Sequence, residues 1–313
     1  MKKQLFTLTL GILISLLLVE STIRIASPIL GPPMSSWNTM EDAKKLKLSE
    51  FQTKYDSPDF LIMGNSTALI GFNPVIFDAR MNNDQRFSFN AAMNGSDIGT
   101  IQDFATSFII PIIKPHNLVI LVSNTGMLFD SNFLPLAGGD SSFLNQSYLY
   151  RYRNTLRDPM TLNTLVRFAQ YRDGRQGIIY RWADNLDDYG YSEYPTTEGS
   201  VGEIGWNPAS STIDQIEEVS IDTSKLKSLI QIRDLARQNN INLVLGTVPL
   251  LSNDRNYRAT VRSVADLLGI GFVQGNDALG EGKYFQDGIH LNKNGAEVFS
   301  KFMADSLSLY KSD

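Results

Sequence analysis

The sequence of 313 residues contains no cysteine, and this absence excludes several kinds of site at once. Disulfide bonds, thiolate zinc sites, iron–sulfur clusters and cysteine nucleophiles all require a thiol. A lipid attached to an N-terminal cysteine is excluded for the same reason. Any attachment of this protein to a membrane must therefore be made by the polypeptide itself.

Histidine and basic charge are also scarce. The two histidines, His116 and His290, are too few for a multi-histidine metal site within one chain, and we expect neither a metal nor a cofactor. The formal net charge of −5 gives no basic surface of the kind that binds nucleic acid, so we expect no nucleic acid partner. What is present, 42% hydrophobic and 19% charged residues, is typical of a globular protein.

The N-terminal segment predicts a membrane helix. Two lysines precede an uncharged apolar run, Leu5–Val19, which is the pattern of an export signal whose start stays in the cytoplasm. Ile23 and Ile25 can extend the run toward the length of about 20 residues that a span needs. No Ala-x-Ala cleavage site follows, so we favour an uncleaved anchor over residues 1–28 to a removed signal peptide. In either case we expect the remainder to work on the extracytoplasmic side, as a single-pass membrane protein or as a secreted or periplasmic one.

After a linker predicted for residues 29–58, strand and helix patterns alternate within a single domain predicted for residues 59–313. Short apolar runs, typical of strands buried on both faces, lie at 59–63, 86–93, 118–122, 241–248 and 270–273. Helical spacing of apolar residues is present at 98–113, 221–239, 257–268 and 293–309. This alternation predicts an α/β fold, with a parallel sheet, right-handed crossovers and helices on both faces. A stretch rich in tyrosine and tryptophan, about 130–215, interrupts the alternation of strands and helices and is predicted to be an insertion over the sheet.

Two blocks at opposite ends of this domain predict a serine nucleophile and its base. Ser66 follows the first strand in Gly64-Asn65-Ser66, where a strand-to-helix turn can expose a hydroxyl. On its own, Gly-Asn-Ser indicates an ordinary turn. Asp287 precedes His290 by three residues, just before the last helix. At that spacing a carboxylate can fix the tautomer of the imidazole and stabilise the imidazolium.

Two further blocks supply candidate donors for an oxyanion. The second strand ends before Gly95, whose backbone N–H can approach a substrate closely. Asn124 follows the third strand and can offer a side-chain N–H to the same oxygen. Because the carboxyl ends of parallel strands share one edge of the sheet, we expect both blocks to lie near Ser66.

Taken together, the four blocks resemble the SGNH hydrolase superfamily, the GDSL-type esterases and lipases. The resemblance implies a flavodoxin-like three-layer sandwich and acyl transfer through an acyl-serine. It also implies Ser66 as nucleophile, with Asp287 and His290 completing a catalytic triad. The implied oxyanion hole consists of Ser66, Gly95 and Asn124.

This sequence departs from the superfamily pattern at two places. Asn65 stands where the superfamily usually has aspartate, and Ser123 and Thr125 replace the usual glycine and aspartate around the asparagine. The nucleophile is unchanged, so these departures put the rate in doubt more than the chemistry.

The N-terminal anchor and the Gly-Asn-Ser-Thr-Ala opening resemble bacterial envelope members of the superfamily. This resemblance implies an esterase or O-acyltransferase acting on ester-linked acyl groups of envelope or exported polysaccharide, with a membrane acyl-donor partner in the transferase case. A lipid-directed esterase or lysophospholipase and a non-catalytic scaffold in polysaccharide assembly remain as alternatives. Aromatic rings of the insertion could hold sugars, although ordinary packing explains them equally well. The sequence does not distinguish hydrolase from transferase, or identify the acyl group, the sugar or the oligomeric state.

Overall fold

The computed structural model describes residues 2–30, 39–81, 87–123, 126–129, 186–192, 222–251, 255–279, 282–287 and 289–310. The helices among them are α1 (Lys2–Leu30), α2 (Thr39–Tyr55), α3 (Ser66–Gly71), α4 (Pro74–Arg80), α5 (Ile98–Phe104), α6 (Gly126–Phe129), α7 (Thr223–Gln238), α8 (Arg255–Leu268) and α9 (Lys293–Leu307). The strands are β1 (Phe60–Gly64), β2 (Ser88–Asn90), β3 (Asn117–Val122), β4 (Asn242–Thr247) and β5 (Gly271–Val273). A π-helix, Ala105–Ile113, follows α5, and 3₁₀ turns lie at Gly275–Ala278, Gly282–Tyr284 and Ser308–Tyr310.

These strands form one parallel sheet in the order β2-β1-β3-β4-β5. Of the three inner strands of this sheet, β1 and β3 are buried along their whole length, which explains their continuous apolar sequences. This strand order is that of flavodoxin-like sheets, whose ligands bind beyond the carboxyl ends of the strands at the point where the order reverses. Here that point lies between β1 and β3, and the predicted α/β fold is confirmed.

The helices lie on both faces of the sheet and complete three layers. On one face, α9 packs against α3 and α4. On the other face, α7 packs against α5 and the π-helix. The guanidinium of Arg237 in α7 donates to the carbonyls of Leu268 and Gly269 at the end of α8, which joins α8 to this second group. After β2 the chain crosses the sheet in the opposite direction. A right-handed crossover then places the following helices on the other face of the sheet.

The segment predicted as a linker, residues 29–58, is different in the structure. Most of it is helix α2, whose Met40, Ala43, Leu48 and Phe51 are buried in the core. The Phe51 ring packs edge-on against Phe89 of β2, with ring centroids 5.6 Å apart. A linker is therefore the wrong description, since the apolar residues of α2 gain burial only by contacting the sheet, which short-range sequence patterns do not reveal.

Two predicted elements have different bounds or geometry. The second strand, predicted over 86–93, has only three residues in the ladder, Ser88–Asn90, although the Ala91 and Met93 N–H groups still donate to the carbonyls of Ile62 and Gly64. The helix predicted over 98–113 changes from α to π at Ala105. Pro111 lies in the π segment and has no N–H to donate, which removes one bond of a regular α-helix.

Helix α1 is long and apolar enough to cross a membrane. Its candidate span is Thr7–Ile25, with a mean hydropathy of 1.9, and only 6% of that window is buried in the molecule. Leucine side chains such as Leu13 and Leu17 are therefore exposed to the surroundings. A lipid environment would remove this apolar surface from water.

Candidate active site

Ser66 is presented by a tight turn at the carboxyl end of β1. Asn65 caps helix α3, and its Oδ1 accepts the Thr67 backbone N–H at 3.1 Å, so that Ser66 is the first helical residue. A Cβ atom on Gly64 would lie 2.6 Å from Cβ of Ala68 and 2.9 Å from the Leu121 carbonyl oxygen. Only glycine permits this close approach, which places α3 directly against the end of the sheet.

The loop before α9 brings a histidine and an aspartate to this serine. His290 Nε2 lies 2.9 Å from Ser66 Oγ, and His290 Nδ1 lies 2.8 Å from Asp287 Oδ2. The second carboxylate oxygen, Oδ1, accepts the backbone N–H groups of Ile289 at 2.9 Å and His290 at 2.7 Å. These three residues therefore form one continuous hydrogen-bonded chain, although Ser66 and His290 are 224 positions apart in the sequence.

The carboxyl group of Asp287 is held ionised. Partial burial raises its pKa, but the hydrogen bonds from the His290 ring and from the His290 and Ile289 backbone N–H groups lower it by more, so the pKa lies below its ordinary value. An ionised carboxylate accepts the Nδ1–H of His290 and leaves Nε2 as the acceptor that faces Ser66. The arrangement can thus take a proton from the serine hydroxyl.

Of the three predicted oxyanion-hole residues, the structure describes Ser66 and Gly95. Gly95 lies in an exposed turn after β2 with φ of +67°, a left-handed conformation that favours glycine. The Met93 N–H donates to the Gly64 carbonyl at 3.0 Å, which brings the start of this turn beside the nucleophile turn. Asn124 lies outside the described residues. The donor roles of Gly95 and Asn124 therefore stay predictions.

The Gly95 turn is held by an ion pair that the sequence did not indicate. Asp97 caps α5 by accepting the Thr100 N–H at 2.9 Å, and its other oxygen accepts a hydrogen bond from the ammonium of Lys225 in α7. Partial burial raises the pKa of Asp97, but the bonds and charge from Lys225 and Thr100 lower it below its ordinary value. The partners are 128 residues apart, so no local motif joins them.

Asn90, at the end of β2, is a second residue that sequence analysis missed. Its side chain is fully buried, and Nδ2 donates to the carbonyls of Ala68, Leu69 and Phe72 at the end of α3, at 2.7–3.1 Å. The Asn90 side chain therefore adds hydrogen bonds to carbonyls at the end of the helix that begins at Ser66, including that of Ala68, which also accepts the Phe72 N–H. A buried asparagine at a strand end was the available signal, because such a residue needs several hydrogen-bond partners.

The part of the predicted insertion that the structure describes, 186–192, covers the free edge of β2. The Asn90 N–H donates to the Tyr189 carbonyl at 2.9 Å, and the ammonium of Lys44 in α2 bridges the carbonyls of Asn90 and Gly190. Burial lowers the pKa of Lys44 well below its ordinary value, against a smaller opposing effect of the Asp187 charge. Tyr189 and Tyr191 are the aromatic residues of this segment, and the remaining aromatic residues of the insertion lie outside the described residues.

His116, the other histidine of the sequence, lies away from this site. His116 lies at the amino end of β3, opposite Ser66, where its Nδ1 pairs with Asp59 Oδ1 at 2.6 Å. Among the residues that the structure describes, no group of three or more histidines and carboxylates is placed to hold a metal ion.

The strand order, the serine after β1 and the Asp-x-x-His before the last helix occur together in one molecule. Together these features match the arrangement that the resemblance to the SGNH hydrolase superfamily implies. No protein-family model matches the sequence, and no curated protein matches it.

Among solved structures, the chain is similar to the psychrotrophic esterase EstA from Pseudoalteromonas sp., with 10% identity over 80% of this chain and 97% of that one and a TM-score of 0.42. It is also similar to a GDSL-like lipase from Bacteroides thetaiotaomicron, with 12% identity, coverage of 86% and 98%, and a TM-score of 0.39. TesA shares 14% identity over 80% of this chain and 99% of its own, with a TM-score of 0.40.

Proposed function

We propose that this protein is a serine esterase that works through an acyl-enzyme on Ser66. The observation that carries the proposal is the hydrogen-bonded chain Ser66–His290–Asp287, with Oγ–Nε2 and Nδ1–Oδ2 distances of 2.9 and 2.8 Å. A serine hydroxyl is a weak nucleophile until an adjacent base takes its proton, and His290 is placed to do so.

The reaction begins when Ser66 Oγ attacks an ester carbonyl carbon while its proton passes to His290 Nε2. The carbonyl oxygen becomes an oxyanion, for which the proposed donors are the Ser66 and Gly95 N–H groups and the Asn124 amide. When the tetrahedral intermediate collapses, the bond to the leaving alkoxide breaks and Nε2 returns its proton to that alkoxide. The products of this half-reaction are an alcohol and acyl-Ser66.

The second half-reaction repeats these steps with a new nucleophile. Water attacks the acyl carbonyl and gives its proton to Nε2, and collapse of the intermediate returns that proton to Ser66 Oγ and releases the acid. If a sugar hydroxyl attacks in place of water, the same steps yield a new ester and the enzyme is an O-acyltransferase. Asp287 stays ionised throughout and holds the imidazole in one tautomer.

We propose envelope or exported polysaccharide as the substrate, with the enzyme anchored on the extracytoplasmic side by α1. Two features support this: the long apolar stretch Thr7–Ile25, and the two lysines that precede it. A membrane anchor keeps the enzyme close to glycans and to any membrane protein that supplies an acyl donor.

The decisive variant is Ser66→Ala, tested with an organophosphonate that forms a covalent adduct on an activated serine. The wild-type protein should be labelled and Ser66→Ala should not, while both unfold at the same temperature because the substitution removes one half-exposed oxygen. Labelling of Ser66→Ala would refute the assignment of Ser66 as the nucleophile. An unlabelled wild-type protein would refute the proposal that this protein is a serine esterase.

The same variant identifies the reaction in cells. Mass spectrometry of extracted polysaccharide should show more acyl groups in the Ser66→Ala strain if the enzyme is an esterase, and fewer if it is a transferase. Unchanged acylation would contradict the polysaccharide substrate.

A further inference from the structure

A hydrogen bond joins the turn that carries Ser66 to the end of the neighbouring strand β3. Nδ2 of Asn65 donates to Oγ of Ser123 at 2.5 Å. Ser123 is the first residue after β3 and is completely buried. The sheet pairs β1 with β3, with Gly64 opposite Leu121, so this bond extends the contact between the two strands beyond their last ladder position.

The direction of this bond is fixed by the surroundings of Asn65. Its Oδ1 accepts the Thr67 backbone N–H at 3.1 Å and the Thr67 hydroxyl at 2.7 Å. A backbone N–H can only donate, so the atom that faces it must be the amide oxygen, and Nδ2 must face Ser123. The Ser123 hydroxyl then directs its own proton to Met127 Sδ, 3.3 Å away.

Both residues directly precede a residue of the proposed oxyanion hole. Asn65 precedes Ser66, whose N–H at the first position of α3 has no carbonyl partner within the helix. Ser123 precedes Asn124. These are also two of the positions where the sequence departs from the superfamily pattern, and the structure shows that the two departures contact each other.

We propose that Asn65 and Ser123 are a pair of positioning residues for the oxyanion hole. Their bond fixes the turn that carries the Ser66 N–H to the end of β3, so that this donor is held in one place. Neither residue touches the reacting atoms, and the role rests on the proposed function. Because an oxyanion exists only in the transition state and the intermediates, the pair should affect kcat much more than KM.

The test is the hydrolysis of p-nitrophenyl acetate by the full-length protein and by Ser123→Ala. We expect kcat to fall by about 10–100-fold, as for other small misplacements of catalytic groups, and KM to stay within about twofold. The inhibition constant of phenylboronic acid, which forms a tetrahedral adduct on serine, should rise by a similar factor. Ser123→Gly removes the same acceptor and provides a second, independent measurement.

Two control variants remove the outer bonds of this network and leave the central bond intact. Thr67→Val removes the hydroxyl that donates to Asn65 Oδ1, and Met127→Leu removes the sulfur that faces the Ser123 hydroxyl. Both should keep kcat and the inhibition constant within about threefold of wild type.

Two kinds of failure can be distinguished. If the wild-type protein neither reacts with the phosphonate nor hydrolyses the ester, the proposed function is refuted, and the positioning role with it. If the wild-type protein is active but Ser123→Ala loses no more kcat than Thr67→Val, only the positioning role is refuted. The positioning role is likewise refuted if Ser123→Ala lowers both kcat and the unfolding temperature but leaves the inhibition constant of phenylboronic acid unchanged.

Discussion

At the scale of single residues, the site depends on how each oxygen of Asp287 is used. Oδ1 holds the loop through two backbone N–H groups, and Oδ2 holds the imidazole of His290. Oδ1 therefore contributes to the structure of the loop, and Oδ2 sets the protonation of the imidazole. A substitution that keeps the bonds of Oδ1 but changes the group facing His290 separates these two contributions.

Asp287→Asn is such a substitution. The amide oxygen can still accept the two backbone N–H groups, but the amide nitrogen can only donate to His290 Nδ1. The ring is then held with its proton on Nε2, and it cannot accept the proton of Ser66. We expect kcat to fall by about 10⁴-fold with little change in thermal stability, as measured by ester hydrolysis and thermal unfolding.

The matched control for this change is Asp305→Asn. Asp305 is an exposed aspartate whose two oxygens pair with Arg80, far from the serine in the sequence and on the outer side of α9. Its substitution should leave kcat unchanged. If Asp287→Asn retains more than a tenth of the wild-type kcat, the proposed role of Asp287 is wrong.

At the scale of elements, two long-range contacts hold the catalytic edge of the sheet. Asn90 ties the end of α3 to β2, and the Asp97–Lys225 pair ties the turn that contains Gly95 to α7. Helices α5 and α7 are joined further along by Gln102, which contacts Gln231 at 2.7 Å and Ser228 at 2.9 Å. The turns that contain Ser66 and Gly95 are thus held by hydrogen bonds from β2 and α7.

Lys225→Met should lower the free energy of unfolding by about 1–3 kcal/mol at pH 7, because Asp97 loses a charged hydrogen-bond partner. Because Lys225 lowers the pKa of Asp97 in the folded state, the unfolded chain binds more protons in acid, and wild-type stability rises with pH in that range. The contribution is complete above the unfolded pKa of about 3.9 and is lost as the pH falls through the lower folded value.

Urea unfolding between pH 5 and pH 3 measures this dependence. The free energy of unfolding of Lys225→Met should change less steeply with pH than that of the wild-type protein, and the two should converge in acid. Equal slopes for the two proteins would show that the Asp97–Lys225 pair does not contribute to stability. The exposed pair Lys301–Glu297 offers a control, since Lys301→Met should have almost no effect.

At the scale of the whole molecule, the protein combines an apolar helix with a compact α/β core. The exposed leucines of α1 have no role in that core, so charges placed there should change only membrane association. We expect Leu13→Arg combined with Leu17→Arg to move the protein out of the membrane fraction, because each arginine costs about 2.5–3.5 kcal/mol at the centre of a span.

Fractionation of cells followed by phosphonate labelling measures both consequences. The double variant should be depleted from membranes and still be labelled on Ser66. Leu309→Arg, which charges a leucine that is even more exposed and lies outside α1, should stay in the membrane fraction. Retention of the double variant in membranes would refute anchoring by α1.

Local sequence patterns predicted the α/β fold and three residues that meet at the edge of its sheet. Continuous apolar runs predicted β1 and β3, because a strand buried on both faces has no polar side. Ser66, Asp287 and His290 were identifiable because each stands directly after a strand or before a helix, where parallel sheets expose their ligand-binding edge. Local patterns suffice for such predictions, since they depend on near neighbours in the chain.

The contacts between distant groups depend on the three-dimensional packing of the chain. Helix α2 was not apparent in the sequence because its apolar residues are interspersed with lysines. It becomes part of the core by packing against β2, through the contact of Phe51 with Phe89. The bonds of Asn65 to Ser123, Asn90 to α3 and Lys225 to Asp97 each join residues 18 to 128 positions apart. Each bond requires two polar groups to be buried at one place, and that coincidence arises from packing of the whole chain rather than from any local pattern.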